Sequence, residues 1–148
     1  MEYLGRNEGL SDWNFSEKEI EYGKEVLEHP SIEAAAKRVA ENMGRMIELK
    51  SEKTIAPRFE LQVSMGMNRS GSVSVSGEKG LPIGIQRCGN CDVHIRKDYE
   101  AKGVAWAVYQ KCLPILLEEY PAVAGHNLEV MYNKIFRTVV IIMYLKID

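Results

Sequence analysis

The spacing of apolar residues changes once along the chain, from a helical period to a strand period. From Ile32 to Ile47 the apolar residues recur every three or four positions, which predicts an amphipathic helix. From Phe59 onward they alternate with polar residues, which predicts strands with one buried face. The apolar positions of this second region are all odd-numbered: Phe59, Leu61, Val63, Met65, Val73, Val75, Ile83, Ile85, Val93 and Ile95. The pattern therefore predicts helices first and an antiparallel sheet after them.

Two helices are predicted before the strands. Ser16 and Glu19 have the spacing of a capping box, so a first helix should begin at Ser16. It should end before Pro30, because the residue that precedes a proline avoids the helical region. Ser31 should cap a second helix that continues to about Lys50.

The alternating region predicts a four-stranded antiparallel meander. Opposed residues of a hairpin share a face, so odd-numbered residues should pair with odd-numbered residues. Val75 should then pair with Ile83, and Met65 with Val73. The same rule excludes a two-residue turn within Cys88–Cys91, and it places at least one of these thiols in a loop between the last two strands.

The last third of the chain predicts a helix and a buried strand. Asp98 should cap a third helix, which Pro114 should kink or break. A nearly continuous apolar run with many β-branched residues favours a central strand from about Arg137 to Ile147. Residues 128–136 fit either a helix or the hairpin partner of that strand, and the strand is favoured.

These elements predict one α+β domain over residues 1–148, with residues 1–15 as an extended N-terminal arm. Its order is two N-terminal helices, the four-stranded antiparallel meander, one helix and a C-terminal strand or hairpin. The helices should pack against one face of the sheet.

Composition narrows the class of protein. With a formal charge of −2 and a pI near 6.0, the chain lacks the basic footprint of a nucleic-acid binder, so nucleic acid is not an expected partner. No apolar run approaches the ~18 residues of a membrane span. The three cysteines are an odd number, which suits reduced thiols. We therefore expect a cytoplasmic protein that does not interact with membranes.

The Cys-x-x-Cys motif is the clearest candidate for metal chemistry. Cys88 and Cys91 have the spacing of half a tetrahedral zinc site, which needs two further ligands. His94 follows three residues later, but alternation places it on the polar face of a strand. A redox pair would require a strand-to-helix junction, whereas this pair joins two strands. We expect no cofactor and keep zinc at the two cysteines as an alternative.

The polar face of the meander is the predicted binding surface. It has no exposed aromatic residues for stacking bases, which discounts single-stranded RNA. A protein partner or a small polar ligand is expected there instead. The candidate ligand-binding residues are Gln62, Ser64, Ser74, Gln86, His94 and Arg96.

Two other functions are weighed against this one. Residues 31–50 could hold a helix-turn-helix with its turn at Gly44, which would make the protein a DNA-binding regulator, but the apolar stripe continues in phase through Gly44 and favours one long helix. The chain has none of the common catalytic motifs, so catalysis is not expected. The sequence thus predicts a small non-catalytic adaptor or inhibitor.

Self-association is a further expectation. The segment Thr138–Leu145 is too apolar for an exposed edge strand, and the second helix is rich in methionine, whose soft side chain suits adaptable contacts. Both features predict a homo-oligomer.

Overall fold

The computed structural model describes residues 15–50, 58–65, 70–76, 86–125 and 127–144. The elements are helices α1 (Glu17–Val26), α2 (Pro30–Lys50) and α3 (Asp98–Glu119), a short 3-10 helix (Pro121–Gly125), and strands β1 (Arg58–Met65), β2 (Ser70–Ser76), β3 (Gln86–His94), β4 (Asn127–Asn133) and β5 (Thr138–Tyr144). The predicted α+β class is confirmed, as is the order of helices, strands, helix and C-terminal hairpin. The predicted N-terminal arm falls almost wholly outside the described residues.

The strands form one antiparallel sheet in the order β3-β2-β1-β5-β4. Strand β5 lies between β1 and β4, which confirms that the apolar C-terminal run is a central strand. Residues 127–133 are its hairpin partner, as favoured from the sequence. A central strand pairs on both sides and can be apolar on both faces, which accounts for the nearly continuous apolar run.

The predicted odd-with-odd pairing is confirmed for β1 and β2. Val63 lies opposite Val73, and Met65 lies opposite Gly71. The predicted partner of Met65 was Val73, so that register is wrong by two residues. A shift of two keeps every side chain on its face, because side chains alternate with period two.

Strand β3 corrects the prediction for the cysteine-containing segment. It runs without a break from Gln86 to His94 and pairs with β2. The loop predicted from parity, either residues 89–91 or residues 87–91, is therefore wrong. The pairing of Val75 with Ile83 is also wrong, because Val75 lies opposite Gln86, while Ile83 falls outside the described residues. The register of the β2–β3 pair shifts between Ser70 and Gly71 and between Val73 and Ser74. These shifts let β3 place more residues opposite β2 than strict one-to-one pairing allows, so no loop is needed. Three described strands thus separate α2 from α3, where four were predicted.

Helix α3 occupies the centre of the helical layer. It packs against α1, α2, β1 and β5. Every residue from 103 to 109 is buried, so this helix has no solvent-facing side over two turns. A helix that is buried all round must be apolar all round, and small residues such as Ala105 and Ala107 let its neighbours approach closely.

Helix α2 begins one residue earlier than predicted. Pro30 is its first residue, where a fixed φ suits the helix, and Nδ1 of His29 accepts a hydrogen bond of 3.1 Å from the Ser31 N–H. Ser31 therefore lies inside the first turn, and its predicted role as cap is wrong. The helix continues through Gly44 to Lys50, as the apolar stripe predicted.

Helix α3 corrects two local predictions. Asp98 is its first residue rather than its cap, and the Glu100 carboxylate accepts hydrogen bonds from the backbone N–H groups of Arg96 and Lys97, at 2.7 and 2.9 Å. The helix then continues through Pro114, so of the two predicted outcomes the break is wrong and the kink stays a prediction. Pro114 is exposed, and water can hydrogen-bond the carbonyl that proline leaves unpaired.

The capping box of α1 is confirmed and yields a testable prediction. Ser16 Oγ accepts a hydrogen bond from the Glu19 N–H at 3.2 Å, and the Glu19 carboxylate accepts one from the Ser16 N–H at 2.8 Å. Ser16→Ala should lower the free energy of unfolding by about 0.5–2 kcal/mol in urea denaturation. The control is Ser31→Ala, which removes a serine that caps no helix and should cost less. An equal loss in both variants would contradict the assignment of the caps.

Helices α1 and α3 touch through their backbones. A Cβ atom added to Gly103 would lie 2.8 Å from the carbonyl oxygen of Glu19 and 3.1 Å from the backbone nitrogen of Gly23. A Cβ atom on Gly23 would lie 2.9 Å from the carbonyl oxygen of Gly103. The crossing therefore requires glycine on both helices.

Candidate functional site

The sheet presents one face to the helices and a second face that carries the predicted binding surface. Buried odd-numbered residues of β1, β2 and β5 form the helix-facing side, and the even-numbered residues of these strands lie on the other side. Strand β4 contributes odd-numbered residues to that other side, because it pairs even with odd. We call this second surface the outer face. Its residues are Glu60, Gln62, Ser64, Ser72, Ser74, Glu129, Met131, Asn133, Thr138, Val140, Ile142 and Tyr144.

Three of the six predicted ligand-binding residues meet at the middle of the outer face. Gln62 lies directly opposite Ser74, and Ser64 is the next outward-facing residue of β1. All three side chains are half-buried. The Ser64 hydroxyl lies 3.2 Å from the Thr138 hydroxyl, and the Ser72 hydroxyl donates to the Ser64 carbonyl at 3.4 Å. These serine hydroxyls are therefore already engaged within the sheet.

The other three predicted residues lie apart from this centre. Gln86 and His94 are the two ends of β3. They are eight residue steps apart along the strand, which corresponds to about 26 Å. His94 is exposed opposite Ser70, and its carbonyl accepts a hydrogen bond of 2.7 Å from the Tyr22 hydroxyl. Arg96 lies beyond the strand and is also exposed. Gln86 is paired with Val75, a residue of the helix-facing side, so its register also separates it from the outer face. One small ligand therefore cannot contact all six residues.

Sequence reasoning missed the apolar half of the outer face. Met131, Val140, Gln62 and Ser74 form one continuous row across β4, β5, β1 and β2. The first two are apolar and the last two are polar, and Met131 is 47% exposed. In the neighbouring row, Ile142 is only 2% exposed. The apolar even-numbered positions of β5 carried this signal, but their place beside Gln62 follows only from the pairing of β5 with β1.

A polar contact fixes the β4–β5 hairpin to the start of α3. The Tyr132 hydroxyl donates to the Asp98 carboxylate at 2.8 Å, and Arg137 Nε lies 3.8 Å from the same oxygen. Burial raises the pKa of Tyr132 to about 12, and the hydrogen bond to Asp98 contributes to the rise. Tyr132 therefore remains a neutral hydrogen-bond donor throughout the physiological range.

The turn of that hairpin holds two apolar side chains in solvent. The side-chain oxygen of Asn133 accepts hydrogen bonds of 3.0 Å from the N–H groups of both Ile135 and Phe136. Arg137 has a φ of 48°, which closes the turn in the left-handed region. Ile135 is 86% and Phe136 72% exposed. We call residues 134–137 the hairpin tip.

The zinc hypothesis stays a prediction. The backbone of Cys88 and Cys91 lies in β3, while their side chains fall outside the described part of the structure. Among the residues whose side chains are described, no group of three or more His, Cys, Asp or Glu is arranged to hold a metal ion. The third thiol, Cys112, is buried in α3 and donates to the Tyr109 carbonyl at 3.4 Å.

The helix-turn-helix interpretation of residues 31–50 is wrong, because α2 has no turn at Gly44. A Cβ atom at that position would lie 3.1 Å from the Tyr120 ring, so Gly44 makes room for an aromatic side chain within one helix. The exposed Lys37 pairs with Glu33 at 3.7 Å, which offsets its charge toward a phosphate.

Neither sequence argument for a homo-oligomer holds in the structure. Strand β5 is central rather than an edge, so its backbone is paired on both sides and needs no second copy to pair with it. Met43 and Met46 of α2 are fully buried in the core and cannot supply an adaptable surface. Self-association stays a prediction that requires a different basis.

No protein-family model matches the chain. Comparisons with the curated proteins and with the solved structures likewise find no match. Among the helices that the structure describes, none combines the length and the apolar character needed to cross a bilayer. The function of the outer face has to follow from its own geometry and chemistry.

Proposed function

We propose that the protein is a non-catalytic binding protein that holds a protein partner on its outer face. The observation that carries this proposal is the row of Met131, Val140, Gln62 and Ser74, in which apolar and polar side chains share one pleated surface. Protein interfaces likewise combine apolar side chains with hydrogen-bonding groups. An adaptor or an inhibitor would use such a surface without any catalytic group.

A protein suits this face better than the small polar ligand that was also considered. Small molecules bind mostly in concave sites that bury most of their surface, whereas the described part of the outer face is the pleated surface of a sheet. Hydroxyl groups of Ser64 and Ser72 bond within the sheet, which leaves them less free to define a small ligand.

Charge indicates the kind of partner. Glu60 and Glu129 lie on the outer face on either side of Ile142, and the Glu129 carboxylate accepts a hydrogen bond of 2.9 Å from the Tyr144 hydroxyl. A partner with lysine or arginine around an apolar centre would complement these carboxylates. The cytoplasm fits the proposal, because three thiols remain reduced there.

The test introduces a positive charge at the apolar end of this row. Met131→Lys should leave the fold intact, since the side chain is 47% exposed, but it should disrupt the apolar part of the outer face. Wild type and variant are immobilised and exposed to an extract of the cells that express the protein, and the retained proteins are quantified by mass spectrometry. We expect retention of the partner to fall by at least ~tenfold, as for loss of an interface hot spot.

The matched control is Ala34→Lys, which adds the same charge at an exposed position of α2 on the helical side. It should retain the partner as well as wild type does. Equal retention by Met131→Lys and wild type would contradict the proposal, and so would an equal loss in both variants.

A further inference from the structure

Two exposed apolar features lie outside the outer face. Large hydrophobic side chains with substantial exposure in the described structure are Ile115, Met131, Ile135 and Phe136. Met131 belongs to the outer face. Ile135 and Phe136 project from the hairpin tip, and Ile115 is 40% exposed on α3. These three residues need an explanation that the proposed function does not supply.

The hairpin tip is a rigid apolar projection with basic flanks. Asn133 fixes the turn from inside, and the Met65 N–H donates to the Arg137 carbonyl at 3.2 Å across the neighbouring strand. Lys134 and Arg137 flank the apolar pair, although Arg137 also lies near Asp98. Because the turn is held in place before any contact is made, insertion of Phe136 into a pocket would lose little conformational entropy.

A groove with the opposite character lies between α2 and α3. Its volume is about 240 Å³, and its lining residues are Lys37, Ala40, Glu41, Ile115, Leu116, Glu119 and Tyr120. Ala40 and Leu116 are buried at its floor, while Glu41 and Glu119 are exposed at its rim. A cavity of about 150 Å³ is enough for a benzene ring, so the groove can accept the ring of a phenylalanine.

We propose that the hairpin tip of one molecule docks into the α2–α3 groove of a second copy of the chain. Phe136 would fill the apolar floor, and Ile115 would cover it. Lys134 and Arg137 would face Glu41 and Glu119, while Lys37 of the groove is paired with Glu33 at 3.7 Å. The two surfaces therefore complement each other in charge as well as in polarity. The exposed apolar side chains of each surface would thus be buried by the other surface.

The two surfaces cannot meet within one molecule. The tip is fixed beside Asp98 at the first turn of α3, while the groove is lined by Leu116 near its end. Eighteen helical residues separate these positions by about 27 Å. The contact must therefore join two copies head to tail. When one tip docks into one groove, the first copy keeps an unused groove and the second keeps an unused tip. Further contacts of the same kind then close the assembly into a ring or extend it into a chain.

This inference is independent of the proposed function, because the head-to-tail contact does not use the outer face. The difference can be measured. Met131→Lys should abolish partner retention and leave self-association unchanged, whereas changes at the tip or the groove should do the reverse.

The experiment is sedimentation equilibrium of the full chain at concentrations up to ~300 µM, a range that detects a weak contact. Wild type should show mass that rises with concentration. Phe136→Ser and Ile115→Arg should each raise the apparent dissociation constant by at least ~tenfold. Both positions are exposed, so both variants should fold, which circular dichroism and the urea midpoint would verify. A wild-type monomer at every concentration would overturn the proposal, as would unchanged association in either variant.

A mixture of the two variants distinguishes this contact from a symmetric dimer in which tip meets tip or groove meets groove. Phe136→Ser retains an intact groove, and Ile115→Arg retains an intact tip. Neither should self-associate, but together they should form a one-to-one dimer and nothing larger. Absence of that dimer, when wild type does associate, would overturn the head-to-tail contact.

Discussion

Replacing Ile141 with Ala should lower the free energy of unfolding by about 2–5 kcal/mol. Ile141 is fully buried on the helix-facing side of β5, opposite Leu61 on one side and Val130 on the other. Its removal leaves a cavity in the middle of the sheet, where rigid strands on both sides prevent the surrounding structure from closing it. Urea denaturation monitored by far-UV circular dichroism measures the loss, with the slope of the transition checked for two-state behaviour.

The matched control for this variant is Val140→Ala, one residue earlier in the same strand. Val140 is half-buried on the outer face, so its truncation should cost less than about 1 kcal/mol, mainly through lower strand propensity. Comparable losses in the two variants would show that both faces of β5 are buried equally, and the outer face would then be unavailable for a partner.

Gly103→Ala should destabilise the protein by about 2 kcal/mol, against the expectation from helix propensity alone. In an open helix this change would gain up to about 1 kcal/mol, because alanine is the better helix former. Here the new methyl group would lie 2.8 Å from the Glu19 carbonyl oxygen. That oxygen belongs to the backbone of α1 and can move only if the whole helix shifts, so overpacking exceeds the gain.

Gly44→Ala is the control for the sign of this effect. Its nearest neighbour is the Tyr120 ring at 3.1 Å, a side chain whose hydroxyl donates to Glu48 at the surface at 2.9 Å and which can shift by a few tenths of an ångström without moving a helix. The propensity gain of up to about 1 kcal/mol should therefore survive. Urea denaturation of both variants measures the difference, and a change of the same sign at both glycines would contradict the backbone contact between α1 and α3.

Local sequence patterns predicted two kinds of feature correctly. One kind depends only on residues close in sequence, and the other depends on the alternation of apolar and polar residues along a strand. The capping box at Ser16 needs only its own four residues, and the in-phase stripe of α2 indicated one helix through Gly44. Alternation assigned the faces of β1 and β2 correctly even where the register of Met65 was wrong by two. The continuous apolar run of β5 indicated a central strand.

The errors have a shared physical cause, which is the influence of residues distant in sequence. Strict alternation predicts a loop that includes Cys91. In the structure, register shifts let β3 run through this segment instead. The contact between Gly23 and Gly103 depends on how two helices cross. For the candidate site, Gln62, Ser64 and Ser74 could be placed together from parity, but Val140 joined them only because β5 pairs with β1.

The position of β5 also constrains how the chain can fold. Its pairing with β1 joins Leu61 to Ile141 across most of the described chain, while β1, β2 and β3 can pair with their neighbours as they emerge. Closure of so long a loop is entropically costly and slows folding. Until β5 arrives, one side of β1 is an unpaired edge, open to pairing with another chain. The order β3-β2-β1-β5-β4 thus makes the last described strand the one that joins the two parts of the sheet and covers this exposed edge of β1.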